Sequence, residues 1–154
     1  YAQAITLQRL IDVGNGHLSS ISPRYRMEYA VPTAGTGEHL EIIICDTYHD
    51  ENKRTMATLS GGETFLISLA LALGLSDLAS GKNLIQSLFI DEGFGTLDGK
   101  TLEKAMTTLE QLRDQGKTIG LISHVASLRE RIYCQIQLEP VGDGFSTVRI
   151  SDKG

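Results

Sequence analysis

Two short segments of the sequence carry residue types that could do chemistry. Residues 59–63 read Leu-Ser-Gly-Gly-Glu and stand directly before a long apolar segment. Residues 88–92 read Leu-Phe-Ile-Asp-Glu, an apolar run that ends on two carboxylates. A serine and two glycines at the start of a helix suit an anion, and carboxylates at a strand end suit Mg²⁺ or a general base. Together the segments are typical of one half of a nucleotide site.

Ser60, Gly61 and Gly62 are the candidate phosphate ligands. The glycines permit close backbone approach, and the following helix points its amide donors and positive dipole end outward. The dipole contributes only ~0.3–1 kcal/mol at an exposed site, so the amides and the Ser60 hydroxyl must supply the remainder. A plain helix cap is the alternative, because Ser60 and Glu63 have the spacing of a capping box. The segment by itself favours neither interpretation.

Asp91 and Glu92 are the candidates for metal binding and catalysis. They follow three apolar residues, Leu88, Phe89 and Ile90, which predicts the carboxyl end of a buried parallel strand, where open α/β sheets place ligands. Strand alternation sends the two side chains to different sides. One can hold Mg²⁺, directly or through water, while the other orients or deprotonates an attacking water. Adjacent acidic residues also commonly begin a solvated loop, but the glycine-rich segment 93–98 after them favours a site.

His124 follows the apolar run 119–123. If that run forms the strand beside 87–91, His124 lies near the same sheet edge and can reach a terminal phosphate. A lone histidine at a strand end is more often structural or solvated. The interpretation of His124 therefore depends on its neighbours.

The sequence contains no Walker A loop, the Gly-x-x-x-x-Gly-Lys-Ser/Thr segment that holds a triphosphate. Gly-Lys-Thr occurs at 99–101 and at 116–118, but the residues five positions before each glycine are Phe94 and Gln111. A degenerate loop over the first tripeptide would place Asp98 beside the phosphates, at a cost on the order of several kcal/mol. We therefore expect the isolated chain not to hydrolyse ATP.

Composition bounds the remaining possibilities. The 154 residues, 41% hydrophobic and 21% charged, predict one globular domain or lobe rather than a disordered chain. The longest apolar run, 65–75, is interrupted by Ser68 and Gly74 and is too short to span a bilayer, so we expect no membrane partner. The net charge of −5 argues against strong nucleic-acid binding by this chain alone. Cys45 and Cys134 lack metal-ligand spacing and are expected to be buried thiols in a reducing cytoplasm.

Hydrophobic periodicity predicts an α/β fold. In the first half of the chain we expect a helix over 3–13 with a break at Gly14-Asn15-Gly16 and a short second turn, then a hairpin within 25–48 around Gly35-Thr36-Gly37 and a charged loop over 50–54. An apolar helix over 64–79, buried on most sides, should follow. The second half should contain a strand over 87–91, a helix over 99–115, a strand over 118–122, a short helix over 125–131, and a hairpin of 135–141 with 145–150. Strand, helix and strand over 87–122 predict a parallel βαβ crossover.

The motifs resemble the C-terminal ATPase segment of the bacterial SbcC family, the DNA-repair branch of the ABC ATPases related to SMC proteins. The resemblance rests on 59–73, on 89–98 and on Ile-Ser-His-Val at 122–125, and it covers roughly residues 22–151. Gly-Phe-Gly-Thr after the acidic pair differs from the Pro-Thr-Ser of transporter ATPases, and Glu63 replaces their common glutamine.

The resemblance implies a fold and a set of roles. The fold would be the C-terminal lobe of an ABC-type P-loop ATPase head, with a parallel βαβ core, a signature helix and antiparallel hairpins. Residues 1–21 would end a long coiled coil, and 22–154 would form the lobe. By carry-over, the implied roles are γ-phosphate contact with the ATP of the opposite head (Ser60, Gly61, Gly62), Mg²⁺ binding (Asp91), catalytic base (Glu92), D-loop residue crossing the dimer interface (Asp98) and switch histidine (His124).

The implied function is a head that dimerises around ATP and Mg²⁺ and regulates an SbcD-type nuclease at double-stranded DNA ends. The implied partners are the N-terminal lobe with the Walker A loop, a second SbcC head, that nuclease and double-stranded DNA, in the cytoplasm and on the nucleoid. Two alternatives stay open: an SMC-type chromosome-organising head without a nuclease, and a catalytically silent interaction lobe.

Overall fold

The computed structural model describes residues 2–30, 41–49, 52–79 and 87–152, with side chains from residue 4 onward. The chain divides into two compact units, Tyr1–Ile122 and Ser123–Gly154.

The first unit combines helices with two separate sheets. Its helices are α1 (Ala2–Ile21), α2 (Gly61–Ala79) and α3 (Gly99–Asp114), and its strands are β1 (Tyr25–Ala30), β2 (Glu41–Asp46), β3 (Asn52–Thr55), β4 (Ser87–Asp91) and β5 (Thr118–Ile122). Two short 3₁₀ turns, Met56–Thr58 and Phe94–Thr96, precede α2 and α3. In the described residues β1, β2 and β3 form an antiparallel sheet in that order, and β4 pairs with β5.

Helix α1 is continuous, so the predicted break at Gly14-Asn15-Gly16 is wrong. The physical reason is tertiary packing, which overrides the low helix propensity of glycine. A Cβ added at Gly74 of α2 would lie 2.9 Å from the Gly14 nitrogen, so the two glycines allow the helices to touch. Asn15 then binds the edge of β1, donating to the Met27 carbonyl at 2.9 Å and accepting from the Met27 amide at 2.8 Å. The assignment of 1–21 to a coiled coil stays a prediction.

Helix α2 is confirmed and forms the core of the first unit. Its buried residues are Leu66, Ile67, Leu69, Ala70, Leu73, Gly74 and Ser76. The helix is also long and apolar enough to cross a membrane by length and composition alone, a test that core helices of soluble proteins pass as well. Burial is less complete than predicted, because Leu75 is 55% exposed.

The predicted hairpin of β1 and β2 is confirmed, with Tyr25 opposite Asp46 and Ala30 opposite Glu41. Its glycine-bearing loop, Gly35-Thr36-Gly37, lies outside the described residues. The sequence predicts a charged loop over 50–54, and this is wrong for residues 52–54, which the structure describes. They belong to β3 (Asn52–Thr55), which pairs with β2. This strand has no apolar alternation to reveal it. It is instead a polar edge strand, as sheet edges often are, and Lys53 binds Glu28 across the sheet at 2.8 Å.

The βαβ crossover is confirmed. Strands β4 and β5 pair in parallel, from Ser87 opposite Thr118 to Asp91 opposite Ile122. Helix α3 connects them and buries the side chains of Ala105, Met106, Thr108, Leu109 and Leu112. Gly116 follows with φ +91, the left-handed conformation that commonly ends a helix. The crossover places Asp91 at the carboxyl edge of this sheet.

The second unit contains helix α4 (Ala126–Arg131) and the antiparallel strands β6 (Cys134–Gly142) and β7 (Phe145–Asp152). The predicted short helix and final hairpin are therefore confirmed. The cysteine prediction holds for Cys45, which is buried, and is wrong for Cys134, which is exposed. Cys134 opens a two-stranded hairpin in which even Leu138 is 73% exposed, so strand alternation does not bury its side chains.

Candidate functional site

The serine of the Leu-Ser-Gly-Gly-Glu segment caps α2. The Glu63 amide donates to Ser60 Oγ at 3.3 Å, and the Ser60 amide donates to Glu63 Oε2 at 2.7 Å. This is the capping box that the spacing allowed. The amides of Gly61 and Gly62 take no part in the box, and Ser60 and Gly61 are exposed.

Glu63 joins this helix start to the antiparallel sheet. Its Oε1 accepts from the Tyr25 hydroxyl at 2.8 Å and from Arg54 Nη1 at 3.0 Å. Burial by itself would raise the pKa of Glu63, but the Ser60 amide, Tyr25, the Ser60 hydroxyl and Arg54 together lower that pKa to about 2. Burial and the hydrogen bond to Glu63 raise the pKa of Tyr25 to about 12. Glu63 is thus held as a carboxylate with a partner on each oxygen.

The first turns of α2 also pack on the turn that follows the acidic pair. A Cβ added at Gly62 would lie 2.7 Å from the Thr96 carbonyl oxygen, so only glycine fits there without a shift. The Phe65 and Phe94 rings meet edge to face with centroids 4.9 Å apart, an arrangement that aromatic pairs prefer. A Cβ at Gly93 would lie 2.1 Å from the Phe65 ring. The fold therefore brings the two segments together.

Asp91 and Glu92 stand where the sequence predicts, at the carboxyl end of β4. Asp91 is the last residue of the strand, and the Glu92 amide donates to the Ile122 carbonyl of β5 at 2.8 Å. Glu92 has φ +56 and Gly93 has φ +92, so the chain turns sharply at the sheet edge. A non-glycine residue in this conformation stores backbone strain, which is common at functional sites. Both carboxylates are exposed and therefore accessible to a ligand.

Asp98 has a local structural role in this chain. It caps α3, accepting from the Lys100 and Thr101 amides at 3.0 and 3.1 Å and from the Thr101 hydroxyl at 2.6 Å. The Thr101 hydroxyl and amide, with the Lys100 amide, lower the pKa of Asp98. The first Gly-Lys-Thr thus forms the first turn of an ordinary capped helix. The role of Asp98 at a dimer interface stays a prediction.

The second Gly-Lys-Thr is also used structurally. Lys117 donates to Asp77 at 2.9 Å and to Ser76 at 2.8 Å, both on α2. Asp77 in turn contacts His17 of α1 at 2.7 Å. The lysine therefore ties the start of β5 to the core helix, and neither tripeptide forms a phosphate loop.

His124 lies in the second unit, in the segment between β5 and α4, and is exposed. Its placement beside Asp91 stays a prediction. Among the described residues, no group of three or more His, Cys, Asp and Glu side chains could hold a metal ion by itself. Asp91 could supply only part of a coordination shell. Mg²⁺ accepts this arrangement, since it usually binds one or two carboxylates together with water and substrate phosphates.

Sequence reasoning missed Phe65, Tyr25 and Arg54. Phe65 reads as one more apolar position of α2, and only its contact with Gly93 reveals its place in the site. Tyr25 is 38 residues from Glu63 in the sequence, and no local pattern joins them. Arg54 lies in the segment for which the sequence predicts a loop. Long-range contacts of this kind leave no periodic signal.

Comparison with known proteins decides the family. A family model described as SbcC/RAD50-like, Walker B motif, matches residues 35–111 of the chain. The chain belongs to the SbcC/RAD50-like family. It is 43% identical over 149 residues to the SbcC subunit of the SbcCD nuclease from Pseudomonas aeruginosa, a match that covers 97% of this chain and 12% of that protein. The chain thus spans about an eighth of the length of such relatives, and the resemblance inferred from the motifs is confirmed.

Solved structures confirm the fold class. A structure from work on ATP-driven dimerization and DNA stimulated activation of SMC ATPases matches with a TM-score of 0.74 at 15% identity, over 99% of this chain and 89% of that chain. The Smc head domain with an extended coiled coil, bound to the C-terminal domain of ScpA, from Pyrococcus furiosus, matches with a TM-score of 0.71 at 17% identity, over 96% of this chain and 36% of that chain. The SbcC/RAD50-like chain therefore has the fold of an SMC ATPase head.

Proposed function

We propose that this chain is the C-terminal half of an ATP-hydrolysing head that dimerises around ATP and regulates an SbcD-type nuclease at double-stranded DNA ends. One observation carries the proposal. Asp91 and Glu92 lie exposed at the carboxyl edge of a parallel pair of strands, in a chain whose sequence has no loop to hold a triphosphate. Carboxylates placed in this way act on a phosphate that another part of the protein holds.

The exposed face of β4 supports a second lobe as that missing part. Parallel sheets are normally covered on both faces. In the described part of the chain the parallel sheet consists of β4 and β5 alone, and side chains on it are exposed. Phe89 is 73% exposed and Ile122 is 56% exposed. Phe89 shares its face of β4 with Asp91, because residues two apart in a strand point the same way. A lobe that covers Phe89 would therefore approach the acidic edge.

Within that head we assign each site residue the role that its family resemblance implies. Asp91 serves Mg²⁺, which neutralises phosphate charge when bound, and Glu92 is the general base that takes a proton from the attacking water. His124 contacts the terminal phosphate and Asp98 crosses the dimer interface. Ser60, Gly61 and Gly62 donate to the γ-phosphate of ATP on the opposite head. The exposure of Ser60 and Gly61 at a capped helix start supports this last assignment.

The nuclease and DNA partners rest on the relatives. The Pseudomonas aeruginosa relative is named as a subunit of the SbcCD nuclease, so we infer an SbcD-type partner. The net charge of −5 supports DNA contact chiefly through the full complex rather than through this chain alone. We infer action in the cytoplasm, on the nucleoid.

The test is a comparison of ATP turnover by this chain, by the N-terminal lobe of its own longer protein, and by the two together. We expect turnover and an ATP-dependent dimer only from the combination, and loss of the dimer with Ser60→Arg. Turnover by this chain alone that depends on Glu92 would contradict the proposal. A dimer that is absent, or indifferent to Ser60→Arg, would favour the silent interaction lobe.

The SMC-type alternative rests on fold similarity at 15–17% identity. The relatives named as nuclease subunits are 43% and 41% identical, which favours the nuclease partner. Purification of the full-length protein from its own cells decides between them. A phosphoesterase that co-purifies supports the proposal, and its absence supports the SMC-type head.

A further inference from the structure

We propose that Tyr25 and Arg54 are positioning residues that hold Ser60 in its phosphate-binding geometry through Glu63. This inference rests on the proposed function of Ser60 and deepens it. Nothing in the Leu-Ser-Gly-Gly-Glu motif itself points to these two residues, which lie on β1 and in β3 of the antiparallel sheet.

The contacts form a chain from the sheet to the serine. The Tyr25 hydroxyl and Arg54 Nη1 both donate to Glu63 Oε1, at 2.8 and 3.0 Å. The other carboxylate oxygen, Oε2, accepts from the Ser60 amide at 2.7 Å. With both oxygens engaged, the carboxylate plane is fixed, and with it the backbone of Ser60. Arg54 also donates to the Thr58 carbonyl, which fixes the segment that leads into the motif.

Partial burial strengthens these hydrogen bonds. Tyr25 is 8% exposed, and the side chains of Glu63 and Arg54 are 16% and 28% exposed. Hydrogen bonds to a charged group in such surroundings are stronger than those at an open surface. By contrast, Lys53, which is the neighbour of Arg54, binds Glu28 with a side chain that is 62% exposed. The contacts on Glu63 are thus partly buried.

Charge supplies a second reason for Arg54. A carboxylate three residues from a phosphate ligand would repel the phosphate if its charge were left open. The Arg54 guanidinium at 3.0 Å offsets that charge, and the capping geometry keeps the carboxylate on the backbone side of Ser60. Arg54 therefore makes it possible for an acidic residue to stand in an anion-binding motif.

The experiment uses the complete two-lobe head and measures its ATP-dependent dimerisation constant. We expect Tyr25→Phe, which keeps the ring and removes only the hydroxyl, to weaken dimerisation roughly tenfold. Arg54→Gln should weaken it at least as much. The affinity of the undimerised head for ATP should not change, because Ser60 serves the opposite head. Lys53→Gln and Tyr29→Phe, on the same sheet, are the matched controls and should leave both constants unchanged.

A double-mutant cycle separates positioning from general stabilisation. If Tyr25 acts through Ser60, Tyr25→Phe should cost little further dimerisation in a Ser60→Ala background. Full additivity of the two losses, or a Tyr25→Phe head that dimerises like the controls, would overturn the inference. Failure of the unmodified head to dimerise with ATP would instead overturn the proposed function itself.

Discussion

The start of α2 and the end of β4 are built in opposite ways. At the start of α2 both oxygens of the Glu63 carboxylate have hydrogen-bond partners, and the serine is already capped. At the end of β4 the two carboxylates are exposed, and the backbone of Glu92 is held at φ +56. The Glu63 carboxylate of the first region is bonded within the chain, whereas the carboxylates of the second region face solvent. A phosphate-binding motif that serves an opposite head must keep its shape without its ligand.

The two regions nevertheless touch. Phe65 of α2 packs against Gly93 and Phe94, and Gly62 packs against Thr96. The turn after Glu92 is therefore packed against the start of α2. Substitutions that remove one side of this arrangement at a time separate the contributions of the two regions.

Glu92→Gln should lower ATP turnover by the complete head about a thousandfold, because a general base is worth roughly 10²- to 10⁴-fold. ATP-dependent dimerisation should persist, since the helix start that we propose to serve the opposite head is unchanged. Steady-state turnover and size-exclusion chromatography with ATP measure the two properties. Glu103→Gln, on an exposed position of α3, is the control and should be active. Equal loss of turnover and dimerisation would show that the two regions do not have separate tasks.

Gly93→Ala should lower the free energy of unfolding by about 3 kcal/mol, since it combines a positive φ with a clash against the Phe65 ring. Urea unfolding of the chain measures it. Two glycines separate the causes. Gly116 has φ +91 but open space around it, so Gly116→Ala should lower the free energy of unfolding by about 1 kcal/mol. Gly99 has open space and no positive φ, so Gly99→Ala should leave the free energy of unfolding unchanged. Equal effects at Gly93 and Gly116 would mean that Phe65 gives the turn no support.

Gly62→Ala should lower the free energy of unfolding by about 2 kcal/mol, because the new methyl group would meet the Thr96 carbonyl oxygen at 2.7 Å. Gly61→Ala is the matched control, with its nearest contact at 3.7 Å. It should be tolerated, since alanine favours the helix. Thermal unfolding of both variants checks the pair. If Gly61→Ala proved the more damaging, the described contact between α2 and the acidic turn would be wrong.

Acid should weaken the helix start as the pH falls below 4.5. The folded pKa of Glu63, about 2, lies below its ordinary value of 4.5, so its contribution is complete above pH 4.5 and is lost as the pH falls toward 2. We expect a loss of about 1 kcal/mol after allowance for solvent screening. Urea unfolding at a series of pH values measures it. Glu63→Gln should flatten this part of the profile, and an unchanged profile would contradict the described hydrogen bonds.

Local sequence signals predicted much of this molecule. The apolar runs, the helical spacing and the glycine punctuation around β4, α3 and β5 predicted the parallel crossover, and the Ser60 to Glu63 spacing allowed the capping box as one of two interpretations. The failures have a common cause, which is long-range contact. Gly14 is helical because it packs on Gly74, and β3 forms because it pairs with β2. The contacts of Tyr25 with Glu63 and of Phe65 with Gly93 are of the same kind.

The central claim is that Ser60 serves the ATP of the opposite head while Glu92 serves the ATP of its own. A mixture of complete heads carrying Ser60→Ala with complete heads carrying Glu92→Gln tests it most directly. In a mixed dimer one site combines both defects, and the other site keeps an intact serine from one head and an intact base from the other. We predict that mixing restores ATP turnover well above that of either variant alone. No recovery from two variants that fold, bind ATP and form mixed dimers would contradict the account.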